Sequence, residues 1–155
     1  MVVSDTHGAL LNSIIDVLKK EQNVDMLIHC GDKFKDAELL AKELNIQTLH
    51  RVPGNCDYDT KNKTLLPLEI EGKYVLVTHG HLFHVKDGLE KLKHYAEENH
   101  ADIVIFGHTH RSLNQWDNNI LYFNPGSTIL PKEGRSSYGI IKINNGEVES
   151  QIIEL

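Results

Sequence analysis

Short apolar runs alternate with helical apolar patterns in the first half of the chain. Val2 and Val3 predict the end of a strand, and an amphipathic helix follows whose apolar positions are Leu10, Leu11, Ile14, Ile15, Val17 and Leu18. Residues 24–29 and 46–52 predict two more strands. Between them, Asp36 is the expected N-cap of a helix with the apolar face Ala37, Leu40, Ala41 and Leu44. This strand–helix–strand order predicts a parallel α/β arrangement.

The second half has shorter apolar runs separated by turn residues. Residues 65–71 and 73–78 predict strands, a helix is expected from residue 86 to 99, and residues 102–106 predict another strand. Four short strand candidates follow, separated by Asp117-Asn118-Asn119, Asn124-Pro125-Gly126 and Asn144-Asn145-Gly146. The first and last of these segments are typical of hairpin turns. We therefore expect antiparallel β structure in the last third, and one α/β domain over residues 1–155.

Charge and composition narrow the class of protein. The chain has 16 Lys and Arg against 22 Asp and Glu, a net charge of −6. An acidic chain without a basic cluster is not expected to bind duplex nucleic acid, because phosphate neutralisation supplies most of that affinity. Its apolar runs are far shorter than the roughly 20 residues that span a bilayer, and two cysteines do not make a disulfide framework. We expect a cytoplasmic protein with no membrane partner.

Five predicted strands each end in a loop that carries Asp, Asn or His beside a glycine. These loops hold Asp5 and His7, Asp32, Asn55, His79, and His108 with His110. Ligands in α/β folds bind at the carboxyl ends of the strands, so we expect the five loops to form one shared site. In the Asp5–His7 and His108–His110 segments, alternate side chains of an extended chain would point the same way. Each segment therefore predicts a clamp of two ligands.

The seven candidate ligands are more than one ion with four to six ligands can use, which predicts two metal ions with a carboxylate between them. Mixed oxygen and imidazole ligands favour a transition metal over an all-oxygen Mg²⁺ or Ca²⁺ site. We expect Mn²⁺, with Ni²⁺, Zn²⁺ and Fe²⁺ as alternatives. Two ions about 3.5–4 Å apart can clamp the attacking and leaving oxygens of a phosphoryl displacement, with the nucleophile a hydroxide that bridges them.

Taken in order, the motifs resemble those of the calcineurin-like metallophosphoesterase superfamily; they are Asp5-x-His7, Gly31-Asp32, Gly54-Asn55-Cys56-Asp57, His79 and Gly107-His108-x-His110. The segments Ser4-Asp5-Thr6-His7-Gly8 and Asn124-Pro125-Gly126-Ser127 are similar to its small, uncapped, YfcE-like phosphodiesterase branch. The resemblance covers nearly the whole chain and implies a four-layer αββα sandwich with mixed sheets. It implies one metal on Asp5, His7 and His110 and a second on Asn55, His79 and His108, with Asp32 bridging. It also implies that the Asn124–Ser127 segment lies beside the metals.

The resemblance implies a metal-dependent phosphodiesterase whose candidate catalytic residues are Asp32, Asn55, Cys56 and His81. Cys56 departs from the wider superfamily, which usually has a histidine there that helps to bind phosphate and to protonate the leaving group. The family's first strand is also longer than Met1-Val2-Val3, so we expect the natural chain to begin earlier.

Two other functions remain open at this point. The protein could be a phosphomonoesterase that acts on nucleotides or phosphoproteins, or a non-catalytic scaffold like the retromer subunit that shares this small fold. A chain of 155 residues leaves no room for a cap domain, so we expect an open cleft and a small phosphodiester substrate. Members of the family often form dimers or tetramers, which makes a homo-oligomer an expectation. His29 is expected to be a hydrogen-bonded core histidine.

Overall fold

The computed structural model describes residues 1–9, 12–58 and 61–155. Its helices are α1 (Asn12–Leu18), α2 (Asp36–Glu43) and α3 (Glu90–Glu98), with a 3₁₀ helix at His81–Phe83. Its strands are β1 (Val2–Val3), β2 (Met26–His29), β3 (Thr48–Arg51), β4 (Leu65–Ile70), β5 (Lys73–Thr78), β6 (Ile103–Ile105), β7 (Ser112–Asp117), β8 (Ile120–Pro125), β9 (Ser137–Asn144) and β10 (Glu147–Glu154). Leu10 and Leu11, which the sequence assigns to the first helix, lie outside the described residues.

The strands form two mixed sheets of five strands each. The first has the order β10-β9-β1-β2-β3, in which β1, β2 and β3 are parallel and β9 and β10 are antiparallel neighbours. The second has the order β4-β5-β6-β8-β7, in which β5, β6 and β8 are parallel. Both predicted hairpins are present, as β7–β8 and β9–β10. The expected antiparallel pairs of the last third are present, and β8 also pairs with β6 in the parallel sense, which makes the second sheet mixed.

Alternating side chains on the strands build three apolar layers, which make the fold a four-layer αββα sandwich. Val2 and Ile28 face the second sheet and pack with Val75, Ile103 and Phe123. Their chain neighbours point the other way, so that Val3 and Leu27 pack against Ile15, Leu18 and Leu40 of the first two helices. On the outer face of the second sheet, Leu76, Val104 and Tyr122 pack against Leu92 and Ala96 of α3. This period of two fixes which residues of each strand face the other sheet and which face the helices.

One predicted helix start is wrong. Asp36 does not cap α2 with its side chain; Lys35 holds the N-cap position and Asp36 is the first helical residue. The Asp36 carboxylate instead accepts a hydrogen bond from the backbone N–H of Gly8 at 2.9 Å. Its side chain therefore connects α2 to the loop that follows β1. None of the described helices is both long enough and apolar enough to cross a membrane.

Candidate metal centre

The five polar loops meet at one end of the two sheets, as the sequence predicts. The loops follow β1, β2 and β3 in the first sheet, and β5 and β6 in the second. Because the strands within each of these sets are parallel, their carboxyl ends lie on the same edge. Seven side chains come together there in two groups that share Asp32, and these side chains are Asp5, His7, Asp32, Asn55, His79, His108 and His110.

The first group consists of Asp5, His7, Asp32 and His110, each of which offers one ligand atom within 4.8 Å of the others. His110 Nε2 lies 3.2 Å from Asp5 Oδ1 and 3.2 Å from His7 Nε2. His7 Nε2 in turn lies 3.7 Å from Asp32 Oδ2. Two carboxylates and two imidazoles thus point their ligand atoms at a common centre.

The second group is centred on His79, whose side chain is fully buried. His79 Nε2 lies 3.3 Å from Asn55 Oδ1 and 3.2 Å from His108 Nδ1. It also lies 3.4 Å from Asp32 Oδ1. The Asp32 carboxylate therefore directs Oδ1 at the second group and Oδ2 at the first, which is the arrangement expected of a bridging ligand.

The two oxygens of Asp5 have different surroundings, although the residue is completely buried. Oδ2 accepts hydrogen bonds from Ser4 Oγ at 2.6 Å and from the His108 backbone N–H at 3.1 Å. Oδ1 accepts no well-aligned hydrogen bond from the described residues. Burial by itself disfavours the charged form, but the nearby His110 ring and the Ser4 hydroxyl outweigh it and lower the Asp5 pKa. A buried, charged oxygen without a hydrogen-bond donor is well suited to bind a cation.

Backbone carbonyl groups orient two of the histidines. His79 Nδ1 lies 2.7 Å from the Cys30 carbonyl oxygen, and His110 Nδ1 lies 2.7 Å from the Leu130 carbonyl oxygen. A carbonyl only accepts, so both Nδ1 atoms donate and both Nε2 atoms direct a lone pair at the site. This bond on the far ring nitrogen is typical of histidines that bind metals. The donor set therefore fits divalent cations.

The two histidines of the His108–His110 loop differ in proton affinity. Burial lowers the His108 pKa to about 4, which leaves the ring neutral and able to bind a metal at neutral pH. The Asp5 carboxylate, whose Oδ1 lies 3.2 Å from His110 Nε2, raises the His110 pKa. A proton on His110 and a cation on its Nε2 exclude each other, so cation binding in the first group is expected to release a proton.

The backbone at the site differs from the prediction of an extended chain in both clamps. Asp5 has a φ of 54° and His7 a φ of 50°, in the left-handed region. The same region holds three more of the seven side chains, namely Asp32, His108 and His110. Non-glycine residues adopt this conformation at a cost and keep it only where the surroundings impose it. The loops are therefore held by tertiary contacts, and not by local extended geometry.

Asp57 is one such contact, and the sequence places it in a motif without indicating what it does. Its carboxylate accepts hydrogen bonds from the backbone N–H groups of Lys33 at 3.0 Å, Phe34 at 3.1 Å and Gly54 at 2.9 Å. It thereby joins the loop that carries Asp32 to the loop that carries Asn55.

The Asn124–Ser127 segment lies beside the site, as the resemblance implies. Ser127 Oγ donates a hydrogen bond to the Asp5 carbonyl oxygen at 2.8 Å.

The candidate catalytic residues Cys56 and His81 lie at the edge of the second group. The Cys56 backbone N–H donates to Asp32 Oδ1 at 2.9 Å, and burial raises the pKa of its thiol to about 11. The His81 ring lies 5.3 Å from the ring of His79, and burial lowers its pKa. Its Nδ1 is buried without a hydrogen-bond partner among the described residues. A catalytic role for either residue stays a prediction.

Two curated relatives align along most of the chain. It is 37% identical over 147 residues to the probable metallophosphoesterase YsnB of Bacillus subtilis, covering 94% of this chain and 84% of that protein. It is 30% identical over 165 residues to the phosphodiesterase YfcE of Escherichia coli, covering 91% of this chain and 85% of that protein.

Solved structures match the fold. A protein of Streptococcus pneumoniae described as a predicted phosphoesterase superposes with a TM-score of 0.81 at 26% identity, over 99% of this chain and 87% of its own. Vps29 of Entamoeba histolytica, solved in complex with Zn²⁺, superposes with a TM-score of 0.79 at 21% identity, over 98% and 96% of the two chains. The second likeness concerns the fold alone. The model of the calcineurin-like phosphoesterase superfamily domain matches residues 1–146, and the chain belongs to this superfamily.

Proposed function

We propose that this protein is a metal-dependent phosphodiesterase that holds two divalent cations, with Mn²⁺ as the first expectation. The proposal rests mainly on Asp32, whose Oδ1 lies 3.4 Å from His79 Nε2 while its Oδ2 lies 3.7 Å from His7 Nε2. One carboxylate facing two groups of ligand atoms suits a bridge between two ions. In this proposal Asp5, His7 and His110 hold the first ion, and Asn55, His79 and His108 hold the second.

Two divalent ions bound in this way would supply Lewis acidity toward the phosphoryl group and a hydroxide nucleophile near neutral pH. The protein's own part is to keep the ligand atoms in place and uncharged where necessary. The His79 Nδ1 bond to the Cys30 carbonyl leaves Nε2 free to bind. His81 lies next to the second group and would contact a substrate oxygen at the edge of the site.

A diester is favoured over a monoester because of Cys56. Its thiol, with a pKa of about 11, is neutral at neutral pH and supplies no positive charge to a phosphate. A monoester dianion benefits from an additional cationic or proton-donating group more than a diester monoanion does. Activity on monoesters is therefore expected to be the weaker of the two.

A non-catalytic scaffold is the alternative function that the likeness to Vps29 raises. That likeness concerns the fold and does not by itself favour a scaffold. Scaffolding needs no ligand set, whereas here all seven positions keep residues able to bind a metal and direct them at two centres. This observation supports catalysis. A small phosphodiester substrate, a dimer or tetramer, and a cytoplasmic location stay predictions.

The test combines metal analysis with hydrolysis assays. The purified protein would be treated with a chelator, reloaded with Mn²⁺, and assayed on an activated diester and on the matching monoester. We expect two metal ions per chain, loss of hydrolysis on chelation and recovery with Mn²⁺. His94→Ala serves as a control, because His94 is exposed on α3 and its ring pairs with Glu98 at 3.4 Å, away from the seven candidate ligands. Full activity after complete metal removal would overturn the proposal.

A further inference from the structure

His29 is a fully buried histidine that is not among the expected ligands. It ends β2, and both of its ring nitrogens have partners. Nδ1 accepts a hydrogen bond from the Gly31 backbone N–H at 3.2 Å, and Nε2 lies 3.1 Å from Thr6 Oγ1. Burial lowers the pKa of the ring to about 4, so the ring is neutral at neutral pH. Because Nδ1 accepts, the single ring proton is on Nε2 and is donated to Thr6.

Thr6 continues this connection and is itself fully buried between Asp5 and His7. Its hydroxyl oxygen accepts from His29 Nε2 and donates its own hydrogen to the Asp32 carbonyl oxygen at 3.3 Å. The direction of every bond follows from the Gly31 N–H at the start. The chain of hydrogen bonds therefore runs from Gly31 through His29 and Thr6 to Asp32, and it joins the loop after β1 to the loop after β2.

We propose that His29 and Thr6 are positioning residues, which hold the Asp5–His7 loop against the Asp32 loop so that the first group keeps the spacing that a divalent cation needs. The inference rests on the proposed function, since it assigns these two residues to the support of the same metal centre. Neither residue is offered as a ligand. Their effect passes through the backbone of the residues that they connect.

The need for such support follows from the backbone conformation. Asp5, His7 and Asp32 have φ values of 54°, 50° and 58°, which side-chain-bearing residues adopt only when held. Two backbone hydrogen bonds join the same loops, from Asp5 N to the Gly31 oxygen at 3.0 Å and from His7 N to the Asp32 oxygen at 3.2 Å. The Thr6 hydroxyl lies between them and donates to the same Asp32 oxygen as His7. Loss of the hydroxyl would leave that oxygen with one donor and remove the side-chain hydrogen bonds that supplement these two backbone bonds between the loops.

Two substitutions of His29 each remove a different one of the two hydrogen bonds that its ring makes. In His29→Gln the amide nitrogen reaches the place of Nε2, which keeps the donor to Thr6 and removes the acceptor for Gly31. In His29→Asn the shorter amide oxygen reaches the place of Nδ1, which keeps the acceptor for Gly31 and removes the donor to Thr6. Each variant loses one buried hydrogen bond. A purely structural role would make the two variants equivalent.

Thr6 offers a second matched pair. Thr6→Val removes the hydroxyl at nearly constant volume, and Thr6→Ser keeps it. If His29→Asn fails to fold, the Val and Ser variants make the same comparison. The double variant His29→Asn/Thr6→Val tests whether the residues act as one connection, because breaking it twice should cost no more Mn²⁺ affinity than breaking it once.

The measurement is the dissociation constant for Mn²⁺ on the full chain by calorimetry, with thermal unfolding of the metal-free proteins as the check on folding. We expect His29→Asn and Thr6→Val to weaken Mn²⁺ binding by about 10- to 100-fold, the usual range for residues that support a metal ligand. His29→Gln and Thr6→Ser should bind close to wild type. Equal affinities in the Asn and Gln variants, with wild type binding normally, would overturn this inference alone. A wild-type protein that binds no Mn²⁺ would overturn the proposed function and the inference with it.

Discussion

Gly54 passes so close to Asp32 that a Cβ atom built on Gly54 would lie 2.1 Å from Asp32 Oδ1 and 2.5 Å from the Asp32 backbone nitrogen. The loop after β3 therefore packs directly against the Asp32 carboxylate, which faces both groups of ligand atoms. The backbone N–H of Cys56, in the same loop as Gly54, donates a hydrogen bond to Asp32 Oδ1 at 2.9 Å. A residue with a side chain at position 54 would have to displace the carboxylate or the backbone of Asp32.

Gly54→Ala is therefore expected to abolish tight Mn²⁺ binding, because Asp32 cannot remain between the two groups. Mn²⁺ titration of the purified variant would measure this, with thermal unfolding as the check on folding. Gly146→Ala is the matched control, since Gly146 has a φ of 82° but no atom within 4 Å of a built Cβ. The control should lose about 1–2 kcal/mol of stability through backbone strain and keep its Mn²⁺ affinity. Wild-type affinity in Gly54→Ala would contradict the close packing.

Asp32→Asn is expected to damage activity more than a change at any other single ligand, because both groups depend on this carboxylate. Loss of its charge should lower the occupancy of both ions and slow hydrolysis by about 10³-fold or more. Metal content and diesterase rate would be measured on the same preparation. Asp16→Asn, on the exposed side of α1, is the control for a change of charge alone. A loss below about tenfold at saturating Mn²⁺ would show that Asp32 does not bridge.

Cys56→Ser is expected to keep most of the diesterase activity. The thiol has a pKa of about 11 and is not a thiolate at neutral pH. Serine keeps the backbone N–H that donates to Asp32 and places a hydroxyl where the thiol lies beside the same carboxylate. Near-complete loss of activity with metal content intact would instead make the thiol a reacting group.

Cys56→His is expected to raise monoesterase activity relative to diesterase activity, because an imidazole can supply the charge or proton that a monoester needs. Parallel kinetics on an activated diester and the matching monoester would measure the ratio. If the larger ring does not fit, both activities would fall together, and the prediction would be wrong.

The stability of the metal-free protein should depend on pH through His29. Burial lowers the His29 pKa from its ordinary value of 6.5 to about 4. Between these two values the unfolded chain binds a proton that the folded protein does not, so the free energy of unfolding falls as the pH falls through this range. The full contribution is about 3 kcal/mol, present above pH 6.5 and lost near pH 4.

Urea unfolding of wild type and His29→Gln at neutral pH and near pH 4 would isolate this effect, because glutamine does not titrate. The decrease in stability on acidification should be smaller in the variant by about the His29 contribution. Other groups, including His108, titrate in both proteins and cancel in the comparison. Parallel pH profiles for the two proteins would show that His29 does not stay neutral in the folded state.

The positions of the candidate ligands could be predicted from the sequence because strand ends are marked locally. Each apolar run stops at a polar residue beside a glycine, as at Gly31-Asp32, and parallel strands bring such ends together. The left-handed backbone at Asp5 and His7 could not be predicted, since Asp and His adopt it more often than most residues but only at a few positions, which contacts with distant loops select. The contacts of Thr6, His29 and Asp57 between loops could not be predicted either, because their partners are distant in the sequence.

The pairing of distant strands also lay beyond the sequence pattern. The turns at residues 117–119 and 144–146 marked two hairpins correctly because hairpins are local. Nothing local indicates that β8 lies parallel to β6 or that β9 lies beside β1. Those neighbours are chosen by packing between layers. A continuous apolar run shows that a strand is buried on both faces, and alternation shows burial on one, but neither pattern shows which strand lies next to it.

The position of β1 has a consequence for how the protein is made. On the ribosome, β1 can pair with β2 soon after both emerge, with Val2 opposite Ile28. Its other neighbour, β9, begins only at Ser137, and Gly139 lies opposite Val2. Pairings between such distant segments form slowly. A nascent chain released before residue 137 would already contain all seven candidate ligands and yet lack the strand that pairs with β1, which carries the first of their loops.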